Sequence, residues 1–333
     1  MKKHLFFLIS LSFFLACQPE DTTESVSGSA LGTTYSIKYF SGNELKVQPA
    51  LDSIFEIINT SMSTYQPDSD ISRINRGDTS LVVDEHFVKV FQASRKIYEE
   101  SEGYFEPTVG NLVNAYGFGP EKQLDKPDQV TLDSLHRLVG FDKLKLDAEN
   151  RVQKSTPGIY IDFNAIAKGY AIDVIAEYFD EKGVSDYLIE LGGEVVARGR
   201  NLQKDADWMV AIDDPEQKEG KRTFQGILAL KNRAMATSGN YRKFSTDSAG
   251  NSFVHTINPI TGRAQKNDLL SASVLAENCT LADGYATAFM AMGFEKSVNL
   301  LEKLDKVDAY LIYVDNGESK VFTTEGFKKV LRE

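Results

Sequence analysis

Apolar positions along this chain recur with two periods, and the change of period divides it. Leu51, Ile54, Phe55, Ile58 and Met62 fall three and four apart, which predicts an amphipathic helix starting just after Pro49. Phe87, Val90, Phe91 and Ile97 predict a second helix with Asp84 as its cap. Leu132, Leu135 and Leu138 predict a short third behind Thr131. A fourth is expected over residues 165–179, closed by Lys182 and Gly183. Elsewhere the period shortens to two. Residues 31–40 alternate as a first strand, and 187–191 with 194–198 flank Gly192-Gly193 as a hairpin. Further strands are expected over 208–212, 224–230, 270–276 and 309–314.

Helices and strands do not alternate regularly, so a doubly wound parallel sheet is not indicated. The pattern predicts an α+β fold. It would be one compact domain with a largely antiparallel sheet flanked by helices and a helical insertion around residues 45–150.

The N-terminus stands outside that pattern. Lys2 and Lys3 precede an apolar segment, Leu5 to Ala16, that is too short to span a bilayer. Residues 1–16 therefore read as a secretory signal peptide. Phe14-Leu15-Ala16-Cys17 resembles a bacterial lipobox, with Phe14 in place of the usual Leu or Val. Cys17 is then expected to carry lipid and to anchor the chain outside the bacterial cytoplasmic membrane or in an outer membrane. Residues 17–29, acidic and small, are expected to be a flexible tether, with the folded domain running from 30 to 333. Lipidation would use one of two cysteines and leave Cys279 without a disulfide partner. A formal charge of −11 argues against nucleic-acid binding, which needs cationic side chains to displace counterions.

Absences narrow the chemistry. His86, His136 and His255 follow the leader, and none is spaced with another His or Cys as a zinc site requires. There is no P-loop and no Rossmann glycine fingerprint. Ser238 lacks the upstream glycine of a nucleophile elbow.

Five polar stretches and one pair remain. Tyr65 follows the first amphipathic helix, where an aromatic ring can stack on a ligand or on the protein's own surface. Residues 103–110 form a glycine-bounded loop holding Glu106. Residues 161–173 turn from a strand end into a helix, a geometry that offers free N–H groups to a phosphate, with Lys168 adding charge. The plainer reading makes Asp162 a cap and Lys168 a solvated lysine. Residues 234–242 carry hydroxyls and an arginine, and His255 precedes a turn. The pair is Asp283 and Thr287, four apart in an apolar helical run and so on one face. A carboxylate beside a hydroxyl offers the hard oxygens that Mg²⁺ or Ca²⁺ takes. The same two residues equally suit a helix cap and a hydroxyl bonded back to a carbonyl.

In order along the chain, these stretches resemble the ApbE-type flavin transferases, the FAD:protein FMN transferases, from about Gly28 to Gly293 and beyond. The resemblance rests on Gly28-Ser-Ala-Leu31-Gly32-Thr33-Thr-Tyr35, Met62-Ser63-Thr64-Tyr65, Phe105 to Gly110 and Asp162 to Gly169. Glu190-Leu-Gly-Gly-Glu194, Thr237-Ser-Gly239, His255 to Gly262 and Asp283 to Thr287 complete it. It implies Mg²⁺ held by Asp283, Thr287 and the main-chain carbonyl of Ala165. Tyr65 would pack on the isoalloxazine ring. Leu31, Glu106, Pro107, Thr108, Asp162, Lys168 and Ile257 would line the site for FAD, the substrate. His255 would help deprotonate the incoming hydroxyl, with Asp283 as the other catalytic residue. Departures from the family pattern are Leu31 for Met, Glu106 and Asn258 for Asp, and Asn164-Ala165 for two glycines. The implied reaction moves FMN to a Ser or Thr hydroxyl of an acceptor protein, such as a membrane redox-complex subunit, with AMP leaving. Hydrolysis of FAD and flavin binding without turnover are the alternatives.

Overall fold

The computed structural model describes residues 23–332 apart from 43, 122–123, 125–127, 216, 218–222, 240–243, 247–251, 255 and 265–266. Cys17 and the leader lie outside the described residues, and so does His255. The chain opens with β1 (Thr23–Ala30) and β2 (Thr33–Phe40), followed by α1 (Val47–Met62), α2 (Asp70–Asn75), α3 (Glu85–Glu100), α4 (Gly110–Ala115) and α5 (Gln129–His136). A small hairpin, β3 (Leu144–Leu146) and β4 (Val152–Lys154), leads to α6 (Ala167–Glu181). Strands then dominate: β5 (Asp186–Leu191), β6 (Glu194–Arg198), β7 (Trp208–Asp213), β8 (Phe224–Leu230), β9 (Arg233–Gly239), β10 (Phe244–Thr246), β11 (Ser252–Val254) and β12 (Leu269–Ala276). Helices α7 (Cys279–Met292) and α8 (Phe294–Leu301) follow. The chain closes with β13 (Asp308–Asp315), β14 (Glu318–Thr323), α9 (Glu325–Lys328) and β15 (Leu331–Arg332).

Eight strands form one sheet in the order β1-β2-β5-β6-β9-β12-β13-β14, every neighbour antiparallel. The α+β expectation holds, with five of the helices inserted between β2 and β3. Both faces of the sheet are covered. Ile37, Val196, Val274 and Ala276 join the large core under α1, α6 and α7, while Val195, Ala197 and Leu275 face a second core. That second core holds Trp208, Leu228 and Phe327, from the small β15-β8-β7 sheet and α9. Two-sided burial explains why β6 and β12 read as nearly continuous apolar runs rather than as alternating strands.

Three expectations need correction. Residues 17–29 are expected as a tether, but Thr23 to Ala30 pair along their whole length with β2, so 23–29 belong to the sheet, while 17–22 lie outside the described residues. The pairing uses backbone groups, which a string of Ser and Thr supplies as well as an apolar strand does. Leu31 was placed in a strand; instead Leu31 and Gly32 are the two-residue turn, with φ of 49° and 74°. Those positive angles suit the primed turns that match strand twist, and a leucine adopts them under strain. The first long helix starts at Val47 and tolerates Pro49 in its opening turn, where N–H groups have no helical acceptor anyway. Asp84 caps α3 as expected, accepting from the Phe87 N–H at 2.7 Å. Asp128, not Thr131, caps α5.

Candidate functional site

Two helices build the site. Asn278 caps α7, its side chain accepting from the Leu281 N–H at 2.9 Å, so Asp283 is not the cap of its own helix. Asp283 instead sits one turn inside α7, 3 % exposed, and its Oδ2 accepts the Gly169 N–H of α6 at 3.1 Å. No side chain of α6 caps that helix. The carboxylate of α7 therefore meets the first turn of α6, where orphan N–H groups and the helix dipole favour negative charge. Gly169 permits the approach. A Cβ there would fall inside van der Waals contact of the Cys279 carbonyl oxygen and 2.8 Å from the Asp283 Cβ.

One turn further along α6, Asp173 accepts the N–H groups of Cys279 and Thr280, each at 2.8 Å. The Thr280 hydroxyl adds a third bond at 2.5 Å. The helices thus run antiparallel, with Asp173 against 279–280 and Gly169 against Cys279 and Asp283. Ala165 lies in the turn that leads into this end of α6, two residues before the helix starts. Among the described residues nothing donates a hydrogen bond to the Ala165 carbonyl. Thr287 has no bond back to its own helix; its hydroxyl lies 3.5 Å from that of Ser238 on β9. The cap-and-back-bond reading of the pair fails on both counts.

Charge is concentrated here. Lys168, on the first turn of α6, pairs with Glu194 at the start of β6, and the other carboxyl oxygen of Glu194 is buried without a partner. Burial, then the Asp283 charge, push the Glu194 carboxyl up to about 8, with Lys168 pulling the other way. Burial raises Asp283 too, against the Lys168 ammonium and the Gly169 N–H. The Lys168 ammonium is held above its usual range: burial disfavours its charge, but Glu194 and Asp283 outweigh that. Two carboxylates against one ammonium leave the cluster short of positive charge. With the undonated carbonyl and the Thr287 hydroxyl, the donor set fits one hard divalent cation. No group of three or more His, Cys, Asp or Glu able to hold a metal occurs among the described residues. Any cation here would have few protein ligands and positions left for ligand oxygens.

The remaining expected residues divide by what their side chains do. Tyr65 is 60 % exposed beside Thr64, whose hydroxyl accepts from the Asn164 amide at 3.3 Å. Burial, and then the Asp162 carboxylate, raise its phenol, so Tyr65 and Asp162 are brought together. Asp162 closes a turn by accepting the Asn164 N–H at 2.8 Å rather than capping α6. Its own N–H donates to the Pro107 carbonyl at 2.8 Å, which lays the 106–108 loop alongside. Glu106 is spent internally, accepting from the Thr108 N–H and hydroxyl and from the Phe141 N–H. Thr108 in turn accepts the Gly140 N–H. Both side chains fasten the loop, so the extra carbon of Glu106 is used to reach Phe141. Ile257 is buried against Leu112, Tyr116 and Ala264, and Asn258 takes the Ile260 and Thr261 N–H groups to form the following turn. Leu31 packs its side chain on the large core.

Sequence reasoning missed roles for Gly169, Asp173 and Glu194. All three stood inside motifs already noted, but only the packing of α6 on α7 and β6 reveals what they touch. The class the fold defines is a single antiparallel α+β domain, with a carboxylate and an ion pair gathered at a helix N-terminus as its candidate site. The chain belongs to the ApbE family, whose model matches residues 31–311. Among curated relatives, it is 34 % identical to an FAD:protein FMN transferase of Haemophilus influenzae, over 95 % of each chain. It is 33 % identical to one of Vibrio cholerae over 99 % of each. The flavin transferase ApbE from Vibrio cholerae superposes with a TM-score of 0.84 at 32 % identity, covering 93 % of this chain and all of that one. The apo flavinyl transferase ApbE of Pseudomonas stutzeri gives 0.80 at 27 %, covering 93 % and 97 %.

Proposed function

We propose that this protein transfers the FMN part of FAD to a Ser or Thr hydroxyl of an acceptor protein and releases AMP. The observation that carries the reading is the meeting of Asp283 with the first turn of α6, through the Gly169 N–H. Its relatives over nearly the whole chain are named for that reaction. In the proposed reaction the acceptor oxygen bonds to the phosphorus on the FMN side of the pyrophosphate, and the bond to the bridging oxygen breaks. AMP carries that oxygen away, and His255 takes the hydroxyl proton. Asp283, Thr287 and the Ala165 carbonyl would hold Mg²⁺, which when bound supplies neutralisation of phosphoryl charge. Lys168 and the N–H groups at the start of α6 bear on the same charge. Tyr65, exposed on a loop pinned by the Ser69 and Ser72 hydroxyls at the Ser63 carbonyl, offers a face to the isoalloxazine ring. The leader, lipid on Cys17 and an outward-facing envelope location belong to the same reading, with an envelope redox subunit as acceptor. No helix among the described residues is long and apolar enough to cross a membrane.

Incubating the protein with FAD, Mg²⁺ and a flavin-acceptor protein tests this. Covalent flavin fluorescence on the acceptor, with AMP released, is the expected result. Free FMN with AMP would instead assign a hydrolase, and unchanged FAD a binder. Tyr65→Ala is expected to raise KM for FAD about fivefold, since an aromatic stack is worth ~1 kcal/mol. Steady-state kinetics at saturating metal measures it, and an unchanged KM would remove Tyr65 from the flavin.

A further inference from the structure

The half-buried carboxylate of Asp173 takes no direct part in the reaction proposed above, yet it joins the two helices of the site by three hydrogen bonds. It lies on α6, eight residues past Ala165, and accepts three hydrogen bonds from the first two residues of α7. Helix N-termini are usually capped by a residue of the preceding loop, and α7 already has such a cap in Asn278. Asp173 therefore adds a second anchor supplied by a different helix. Its negative charge is suited to that end of the helix dipole. The anchor sits one turn from the Gly169–Asp283 bond, and both ends of the contact lie on one face of each helix.

We propose that Asp173 is a positioning residue for the metal site. By fixing the start of α7 on α6, it sets the height of Asp283 and Thr287 against the Ala165 carbonyl. A two-point clamp is needed because the proposed ligands come from α7 and from the turn that leads into α6, so a slide of one helix on the other shifts Asp283 and Thr287 together. Asn278 caps the same helix end and, among the described residues, makes no hydrogen bond to α6, so it supports α7 but not the register. Thr280 shares the role through its hydroxyl. This inference rests on the reading of Asp283 and Thr287 as cation ligands.

Mn²⁺ binding, followed by electron paramagnetic resonance on the full chain in the presence of FAD, is the test. Asp173→Asn keeps the shape and one acceptor oxygen but loses the charge and one bond. It is expected to weaken Mn²⁺ binding by roughly 10–100-fold, the usual effect of removing a group that orients a metal ligand. KM for FAD at saturating metal should stay within about twofold of wild type. Asn278→Ala, a cap loss of similar cost to the helix, should leave Mn²⁺ binding as in wild type. Thr280→Ala, which removes only the hydroxyl bond, should weaken it several-fold and carries the test if Asp173→Asn does not fold. Wild-type Mn²⁺ affinity in the Asp173 variant, or an equal loss in the Asn278 variant, would overturn the positioning role alone. A wild-type protein that binds no Mn²⁺ would overturn the reading of the site and this inference with it.

Discussion

Asp283→Ala is expected to abolish FMN transfer while the protein still folds. The carboxylate is buried, accepts the Gly169 N–H, and raises the Glu194 carboxyl by its charge. Removing it strands one N–H and loses the attraction of Lys168, a cost of ~1–3 kcal/mol, and in return relieves the repulsion between Asp283 and Glu194. The two partly cancel, so stability should change by only about 1 kcal/mol. Activity has no such compensation. Loss of a charged ligand at the reacting phosphates should lower kcat by at least ~10³-fold. Thermal unfolding and single-turnover transfer from FAD, measured side by side, give both numbers. Transfer at the wild-type rate would remove Asp283 from the site, and an unfolded variant would show that its role is in the fold.

Gly169→Ala is expected to damage fold and activity together. In an exposed helix, alanine would be favoured over glycine by ~1 kcal/mol. Here the added methyl meets the Cys279 carbonyl and the Asp283 Cβ, backbone and near-backbone atoms with no rotamer to give way. Overpacking of that kind costs ~1–3 kcal/mol or more, so the clash wins and the melting temperature should fall by a few degrees. The helices can relieve it only by separating, and a misplacement of ~1 Å at a reacting centre is worth about 10²-fold in rate. A melting temperature at or above wild type with full transfer would show that α6 and α7 tolerate a wider spacing.

These two substitutions mark the limit of what was legible beforehand. The amphipathic helices, the Gly192-Gly193 hairpin and most strands were visible because their apolar spacing is a local consequence of which face is buried. β1 was not, since Thr23 to Ala30 holds its place by backbone pairing and has little side-chain pattern to read. β9 reads as a polar motif because Thr237, Ser238 and Gly239 stand together at the end of a strand of small residues that α7 covers. Glu106 also fastens its own loop to Phe141, a role that no local pattern shows.

For the candidate site, the sequence alone named the candidates, an Asp and a Thr one helical turn apart and a Lys at a helix start, and it determined the order of motifs that marks the ApbE family. Spacing within one helix is a property of the backbone and can be counted. Tertiary structure decided the rest. That Asp283 supplements the N-terminus of another helix, that Gly169 is small so that it can do so, and that Asp173 fastens the same two helices one turn away all depend on residues more than a hundred positions apart. Contacts at that separation are set by how faces pack, and no local pattern encodes which carboxylate meets which N–H.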